Sequence, residues 1–247
     1  MSKVILLRHG LSQWNLENRF TGWTDVPLAP KGIEEAHIAG QLIKNANINV
    51  DIAYCSVLKR CKETLDIVLE EIGRQNIPQF FSWRLNERHY GALQGLDKKE
   101  TAQKYGEEQT NLWRRSYSTR PPLLLENDQT APKNDPLYKD VPAEYLPLGE
   151  SLEDTDKRVM FLWQSEILPK IMEGKNILLS VGGNDVRVIV KNLDNISNTD
   201  IVGLNIPTGE PLIYEFDDEG RQLKHYYISP DEIIASKIES VKNQSRI

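Results

Sequence analysis

Short unbroken apolar runs alternate along this chain with segments whose apolar residues recur every three or four positions. Val4-Ile5-Leu6-Leu7 is such a run and ends in Arg8-His9-Gly10. It reads as a buried strand, with glycine letting the chain turn where the strand stops. A helix is predicted over residues 31–45, with Ile33, Ala36, Gly40 and Ile43 on one face. Residues 52–55 form a short strand. Residues 58–72 form a second helix carrying Leu58, Cys61, Leu65, Val68, Leu69 and Ile72 at helical spacing, and residues 80–83 are expected to be extended. Residues 119–149 are rich in Pro, Asp and Asn and have no period, which predicts a long ordered loop or insertion, a feature usually functional or mobile. Ser151 and Asp154 have the spacing of a capping box, and the helix they open runs to about Leu168, where Pro169 disturbs it. Residues 176–181 are a second buried strand, followed by Gly182-Gly183-Asn184 and another helix. Residues 211–216 and 222–228 are late strands, and the tail beyond Ile228 is helical before it frays.

This alternation predicts a three-layer α/β/α sandwich with a mostly parallel central sheet. It is read as one domain over residues 1–247, interrupted by the loop at 119–149. The strand–glycine–helix junction occurs twice, at His9 and at Gly182. Two such junctions on neighbouring parallel strands would build one pocket, because ligands in α/β folds bind outside the carboxyl ends of strands.

Composition is that of an ordinary globular chain, 39% hydrophobic and 27% charged. A net charge of −6 offers no general attraction to nucleic acid or to an anionic membrane, so cations that bind phosphate must be clustered locally. Cys55 and Cys61 lie in apolar segments and read as reduced core residues. No run reaches the ~18–20 apolar residues of a membrane span. Met-Ser-Lys enters the first strand directly, leaving no room for a signal peptide, and a cytoplasmic protein is expected.

A histidine beside a permanent cation at a strand end suits attack on phosphorus. The imidazole can accept a phosphoryl group covalently, and arginine can hold phosphate oxygens bidentately. Arg8, Arg60, Lys98, Arg114 and Arg115 are available to neutralise those oxygens. A proton carrier is also needed, and a carboxylate serves when its pKa is raised; Glu87 fits that role. Each residue alone has an ordinary explanation. Arg114-Arg115 would usually be a solvated helix face, and Glu87-Arg88 a surface pair.

The longer strings carry more weight. Arg8-His9-Gly10-Leu11-Ser12-Gln13-Trp14-Asn15 and Phe20-Thr21-Gly22-Trp23-Thr24-Asp25-Val26 resemble the cofactor-dependent phosphoglycerate mutases. So do Trp83-Arg84-Leu85-Asn86-Glu87-Arg88-His89-Tyr90-Gly91-Ala92-Leu93-Gln94-Gly95, Trp113-Arg114-Arg115-Ser116-Tyr117 and Leu204-Asn205-Ile206-Pro207-Thr208-Gly209. The similarity runs from Lys3 to about Ala235, within the histidine phosphatase superfamily. It implies the phosphoglycerate mutase-like fold, a phosphoryl group carried by His9, and Glu87 as proton donor and acceptor. It places Arg8, Gly10, Ser12, Asn15, Thr21, Gly22, Arg60, Glu87, Arg88, Tyr90, Lys98, Arg114, Arg115, Gly183 and Asn184 around phosphate and carboxylate. The implied reaction interconverts 3-phosphoglycerate and 2-phosphoglycerate, primed by 2,3-bisphosphoglycerate, with no metal. The implied partners are these small phosphoglycerates and further copies of the chain, as a homodimer or homotetramer, a dimer being expected. His37 and His225 lack motif context and read as structural or surface residues.

One departure bears on activity. Where the family has Ala-His-Gly-Asn-Ser-Leu-Arg, this chain has Val181-Gly182-Gly183-Asn184-Asp185-Val186-Arg187. The second active-site histidine is Gly182, and the loss of one preorganised donor typically costs ~10²–10³ in rate, about 3–4 kcal/mol. Asp185 replaces serine, and if it points inward it would repel an anionic substrate. Leu11 replaces the usual glutamate or glutamine, and Val186 and Val188 differ as well. Three functions follow: a mutase with weakened activity, in which Asn184, Arg8 and Arg60 share the lost role; an inactive relative that binds phosphoglycerates; or a phosphatase or bisphosphoglycerate synthase. Ser12 argues against the synthase, whose relatives tend to carry glycine there. The 119–149 loop argues against a simple phosphatase.

Overall fold

The computed structural model describes residues 1–243. Six strands form one sheet in the order β3-β2-β4-β1-β5-β6. They are β1 (Ser2–Arg8), β2 (Ile52–Cys55), β3 (Gln79–Phe81), β4 (Ile177–Val181), β5 (Leu212–Phe216) and β6 (Gln222–Tyr227). β3, β2, β4 and β1 run parallel, and β5 pairs antiparallel with β1 and β6. Because successive side chains of a strand face opposite ways, β1 serves two cores. Val4 and Leu6 pack on one side, with Leu152, Val159, Val186 and Ile189. Ile5 and Leu7 pack on the other, with Ala39, Ile43, Leu65 and Val68. The helices responsible are α2 (Pro30–Asn45) and α3 (Lys59–Glu71) on one face, α6 (Leu152–Leu162) and α8 (Gly183–Leu193) on the other. This is the three-layer, mostly parallel arrangement expected from the alternation of strands and helices. The remaining helices are α1 (Gln13–Leu16), α4 (Lys98–Tyr105), α5 (Glu107–Arg115), α7 (Leu168–Met172) and α9 (Asp231–Lys242).

Several local expectations need correction. Ile33 is exposed on α2, and Ala39 joins Ala36, Gly40 and Ile43 on the buried face. Trp83 is not extended: it opens a 3-10 turn, Trp83–Leu85, whose first free N–H, on Arg84, is taken by Ser82 Oγ. The helix opened by Ser151 has both halves of its capping box but loses α geometry earlier than expected. A π turn spans Trp163–Ile167, ahead of α7. Pro169 has no N–H to offer the carbonyl four residues back, and a widened turn upstream absorbs that missing bond. The fraying expected at the tail falls partly on residues 244–247, outside the described residues.

Residues 119–149 hold three 3-10 turns and no longer element. The loop is pinned by Tyr138, which is buried against Trp23 with ring centroids 4.8 Å apart. The Tyr138 hydroxyl accepts a hydrogen bond from Asn86 Nδ2 at 2.9 Å. The loop therefore braces the segment carrying Glu87 from behind. Cys55 and Cys61 are free thiols in the core, both pushed up in pKa chiefly by burial, Cys61 to about 12. Among the described residues, no helix is long and apolar enough to cross a membrane.

Candidate active site

The two strand–glycine junctions meet. β1 and β4 are parallel neighbours with Arg8 opposite Val181, and His9 N–H donates to the Val181 carbonyl at 3.1 Å. Both chains leave the sheet at the same level, His9 from one and Gly182 from the other. At Gly10 the start of α2 comes so close that the Gly32 carbonyl would collide with any β-carbon. Glycine there lets the loop after His9 lie flat on that helix, while Gly10 N–H donates to Thr64 Oγ1 at 3.1 Å.

His9 is only 2% exposed. Its Nδ1 lies 2.6 Å from the Gly10 carbonyl oxygen, an obligate acceptor, so Nδ1 carries the hydrogen and Nε2 the lone pair. Arg60 Nε sits 3.2 Å from Nε2. Burial, then Arg60 and Arg8, hold the His9 pKa well below its ordinary value, so the ring is neutral and nucleophilic. Arg60 is itself locked, donating to the Gly22 carbonyl at 2.7 Å and the Thr24 carbonyl at 3.0 Å. Arg8 Nη1 donates to the Ile206 carbonyl at 2.6 Å, whereas its buried Nε has no hydrogen-bond partner among the described residues.

Glu87 accepts from Arg88 N–H at 2.8 Å and from Asn184 Nδ2 at 2.7 Å. The α8 N-terminus adds the Asn184 N–H at 3.2 Å. Burial pushes the carboxyl upward, but Asn184, Arg60, the Arg88 amide and Arg8 together outweigh it and hold the pKa below its ordinary value. The raised pKa expected of a resting general acid is therefore corrected: Glu87 rests as a carboxylate.

The cavity around these groups is lined by seven cations, Arg8, Arg19, Arg60, Lys98, Arg114, Arg115 and Arg187, against one carboxylate, Glu87, among the described residues. The local clustering demanded by an acidic chain is thus present. Burial, then Arg114, Arg8 and Arg115, depress Lys98 well below the ordinary lysine value. Burial, then Arg88, push Arg187 down to about 9. Tyr90 is also lowered: burial opposes this, but Arg88 and Arg114 prevail. Such unbalanced charge is costly without an anion, and it marks a site for a small, highly charged anionic ligand.

Of the residues singled out by sequence, Arg8, His9, Asn15, Thr21, Gly22, Arg60, Glu87, Tyr90, Lys98, Arg114, Arg115, Gly183 and Asn184 line this cavity. Gly10, Ser12, Arg88 and Gly182 stand behind its wall. Ser12 caps α1 by accepting from Asn15 N–H at 3.2 Å. Arg88 supports the wall, donating to the Arg114 carbonyl at 2.6 Å and the Tyr90 hydroxyl at 3.1 Å. Arg19, Phe20, Arg187, Ile206 and Val241 also line the cavity and were not anticipated. Arg187 had a readable signal: it is a lone cation inside the apolar stretch Val186–Val190, and it donates to Asn184 Oδ1 at 2.9 Å. No residue of the 119–149 loop reaches the cavity.

Asp185 does not face the anion site. It is fully buried behind it, with Oδ2 accepting the Gly182 N–H at 3.0 Å and Oδ1 3.6 Å from Arg158 Nη1. The expectation that it would repel substrate from the pocket wall assumed an inward side chain. Here its position in the first turn of α8 turns it back onto its own helix start. The other histidines are accounted for. His37 pairs with Glu71 at 2.7 Å and His225 with Asp194 at 3.3 Å, both partly exposed. Buried His89 accepts from Gly91 N–H and is pushed down to about 3 by burial and Arg158.

The profile of the histidine phosphatase superfamily (branch 1) matches residues 4–229. The chain belongs to that superfamily, whose members transfer phosphoryl groups as phosphatases or mutases. Among solved structures, it is similar to a phosphoglycerate mutase from Bacillus anthracis, with 20% identity, 96% of each chain covered and a TM-score of 0.67. It is also similar to a mycobacterial glucosyl-3-phosphoglycerate phosphatase, at 18% identity, 92% of this chain and 96% of that one, TM-score 0.67. An α-ribazole phosphatase from Shigella flexneri follows at 19% identity, 90% and 94% coverage, TM-score 0.66. At these identities the structures establish the shared fold.

Proposed function

We propose that this protein is a 2,3-bisphosphoglycerate-dependent phosphoglycerate mutase of cytoplasmic glycolysis and gluconeogenesis, slowed by glycine at position 182. The observation that carries the reading is His9 Nε2, a neutral imidazole nitrogen in a pocket lined by six arginines and Lys98, with Glu87 beside it. The pocket's donors fit a ligand with several anionic groups: among the described residues, Arg8 Nε and Arg187 Nε are buried at this site without hydrogen-bond partners, so the site's cations are not internally satisfied. The primer, when bound, supplies the phosphoryl group that starts the cycle.

His9 Nε2 forms the bond to phosphorus, while the Gly10 carbonyl holds Nδ1–H and offsets the positive charge that develops on the ring. Arg8 and Arg60 neutralise the phosphoryl oxygens. Glu87 carries the proton to and from the substrate oxygen, held in place by Asn184. Lys98, Arg114, Arg115 and Arg187 fix the far end of the substrate. The long loop supports the mutase reading over a plain phosphatase, and it acts by bracing Glu87 from behind. We further propose a homodimer, joined at the exposed β3 edge, where Phe80 and Phe81 are about half exposed.

The second reading, an inactive phosphoglycerate-binding relative, is favoured by one observation: carboxyl groups crowd the space a side chain at 182 would need. Turnover of 3-phosphoglycerate by the purified chain, coupled to enolase with and without 2,3-bisphosphoglycerate, decides between them. Cofactor-dependent turnover supports the mutase. Bisphosphoglycerate binding with no turnover establishes the binding protein.

A further inference from the structure

The site poses a chemical difficulty. Phosphoryl transfer from a phosphate ester needs a proton for the leaving oxygen, yet Glu87 rests ionised, and the donor histidine of the family pattern is absent. A second carboxyl lies directly behind it. Glu87 Oε2 and Asp185 Oδ2 lie 2.6 and 2.7 Å from one point, the place a β-carbon on Gly182 would occupy. The Gly182 backbone is ordinary extended chain, with φ −74° and ψ 163°, so conformation does not demand glycine there. With glycine at 182, no side-chain atom of that residue stands at the point both oxygens approach.

Their surroundings differ sharply. Glu87 faces two N–H groups, an amide side chain and two arginines. Among the described residues, the Asp185 carboxyl accepts a single hydrogen bond, from Gly182 N–H. Its Oδ1 has no hydrogen-bond partner among the described residues. The charged and titratable groups that act on it are Arg158 of α6, 3.6 Å away and already committed to Glu150 at 2.7 Å, Glu87, and, through their charge, Glu150 and the Cys61 thiol of α3. Two neighbouring carboxyls in unlike settings divide one negative charge unequally. Burial, only partly opposed by Arg158 and reinforced by Glu87, pushes Asp185 well above the ordinary aspartate range.

We propose that Asp185 carries the resting proton of this carboxyl pair and hands it to Glu87 Oε2 when an anionic substrate fills the pocket. The inference rests on the reading of the pocket as a phosphoryl-transfer site with Glu87 as its proton carrier. An incoming phosphate engages Arg8 and Arg60, and the bias that kept Glu87 ionised is reversed. The O–H bond of Asp185 breaks and an O–H bond forms on Glu87 Oε2. Asp185 is left as a carboxylate facing Gly182 N–H and Arg158 Nη1. In the transfer itself, Glu87 gives that proton to the oxygen leaving phosphorus as His9 Nε2 forms its bond to phosphorus. The second half-reaction returns the proton along the same path. Asp185 is thus a positioning residue acting through Glu87, and together with Gly182 it takes over a task from the missing histidine.

Infrared difference spectroscopy of the full chain tests this directly. Asp185→Asn keeps an oxygen able to accept the Gly182 N–H, so the helix cap survives, and Asp185→Ser is the second variant should the first fail to fold. The free protein is expected to show the C=O stretch of a buried carboxylic acid that Asp185→Asn removes and Glu87→Gln does not. Saturation with inorganic phosphate or 2,3-bisphosphoglycerate should replace it by a band that Glu87→Gln removes. In turnover, Asp185→Asn should lower kcat ~10-fold or more with KM little changed, the scale of a lost proton donor. It should also abolish the alkaline limb of the wild-type pH profile. A resting band insensitive to Asp185→Asn, or one that stays on Asp185 with either anion bound, overturns the proposal. So does an unchanged pH profile, which would leave Asp185 as a helix cap. Failure of both anions to bind by calorimetry would instead sink the phosphoryl-site reading, while the resting band still locates the proton.

Discussion

Glu87 stands where a side chain on residue 182 would have to go: its Oε2 lies 2.6 Å from the position of a Gly182 β-carbon, with Asp185 Oδ2 on the same spot at 2.7 Å. Glycine has therefore left no hole. The two carboxyl groups crowd that spot, and added imidazole should not rescue activity, because a ring placed at 182 would meet Glu87 Oε2 and Asp185 Oδ2. Gly182→His alone must displace both carboxyl groups and is expected to gain little. Gly182→His with Asp185→Ser removes the second obstruction and matches the family pattern at both positions. The pair should raise turnover ~10-fold or more, part of the ~10²–10³ that one preorganised donor contributes. The check is kcat for the single and double variants in the coupled assay. Equal, unimproved rates from two folded variants would show that other drift has disabled the site.

His9→Ala should abolish phosphoryl transfer altogether. Among the described residues, His9 is the one histidine lining the cavity, and its Nε2 is the lone pair turned toward Arg60. Incubation with labelled 2,3-bisphosphoglycerate should give acid-labile protein-bound phosphate in the parent chain and none in the variant. Label retained by the variant would place the nucleophile elsewhere.

Much of this arrangement is legible in the sequence. The apolar runs at 4–7, 52–55 and 176–181 are all strands, because a run buried on both faces has little alternative in a parallel sheet. Two strand–glycine junctions anticipated one pocket, and β1 and β4 are indeed neighbours. What could not be read is which side of a wall a charged residue occupies. Arg88 and Arg114 both belong to family strings, yet Arg88 holds the wall from outside, fixed by the Arg114 carbonyl. Asp185 reads as a pocket charge only if it points inward, and glycine at 182 followed by Asp three residues later is also the spacing of a helix cap. Val241 reaches the cavity from the far end of the chain, and nothing local in sequence marks such a long-range contact.

The Glu87 segment hangs on a buried ion pair. Arg158 donates to Glu150 through Nε at 2.7 Å and Nη2 at 2.9 Å, and to the Arg84 and Glu87 carbonyls. Glu150 also accepts His89 N–H at 2.8 Å. Both side chains are less than a tenth exposed. Removing one partner of such a pair strands the other, so Glu150→Ala should cost about 3–5 kcal/mol. Urea unfolding measures this, and a loss under ~1 kcal/mol would show that water replaces the carboxylate.

The proposed dimer edge is separately testable. Phe81→Lys puts a charge on a half-exposed edge position, a standard means of discouraging strand-to-strand pairing. Light scattering should find a dimer for the parent chain and a monomer for the variant. A parent chain that is monomeric at micromolar concentration would remove β3 as an interface.

Ligand binding should draw protons from solution at mildly alkaline pH. Lys98 is buried beside Arg114, Arg8 and Arg115 and holds its proton weakly. Above about pH 8, a bound phosphate group is fully ionised, its second pKa being about 6, so the ligand has no proton to release. Its negative charge cancels the repulsion among the cations and raises the Lys98 pKa. The sign is therefore uptake: Lys98 holds its proton weakly in the free site and firmly in the complex. Calorimetry of 2,3-bisphosphoglycerate binding in two buffers of different ionisation enthalpy gives the number of protons taken up. Uptake should grow from pH 7 to pH 9 and should fall in Lys98→Met, which retains weaker binding through the arginines, the remainder near pH 9 coming from Arg187, whose pKa is pushed down to about 9. Identical heats in both buffers across that range would mean that Lys98 keeps its charge in the free site.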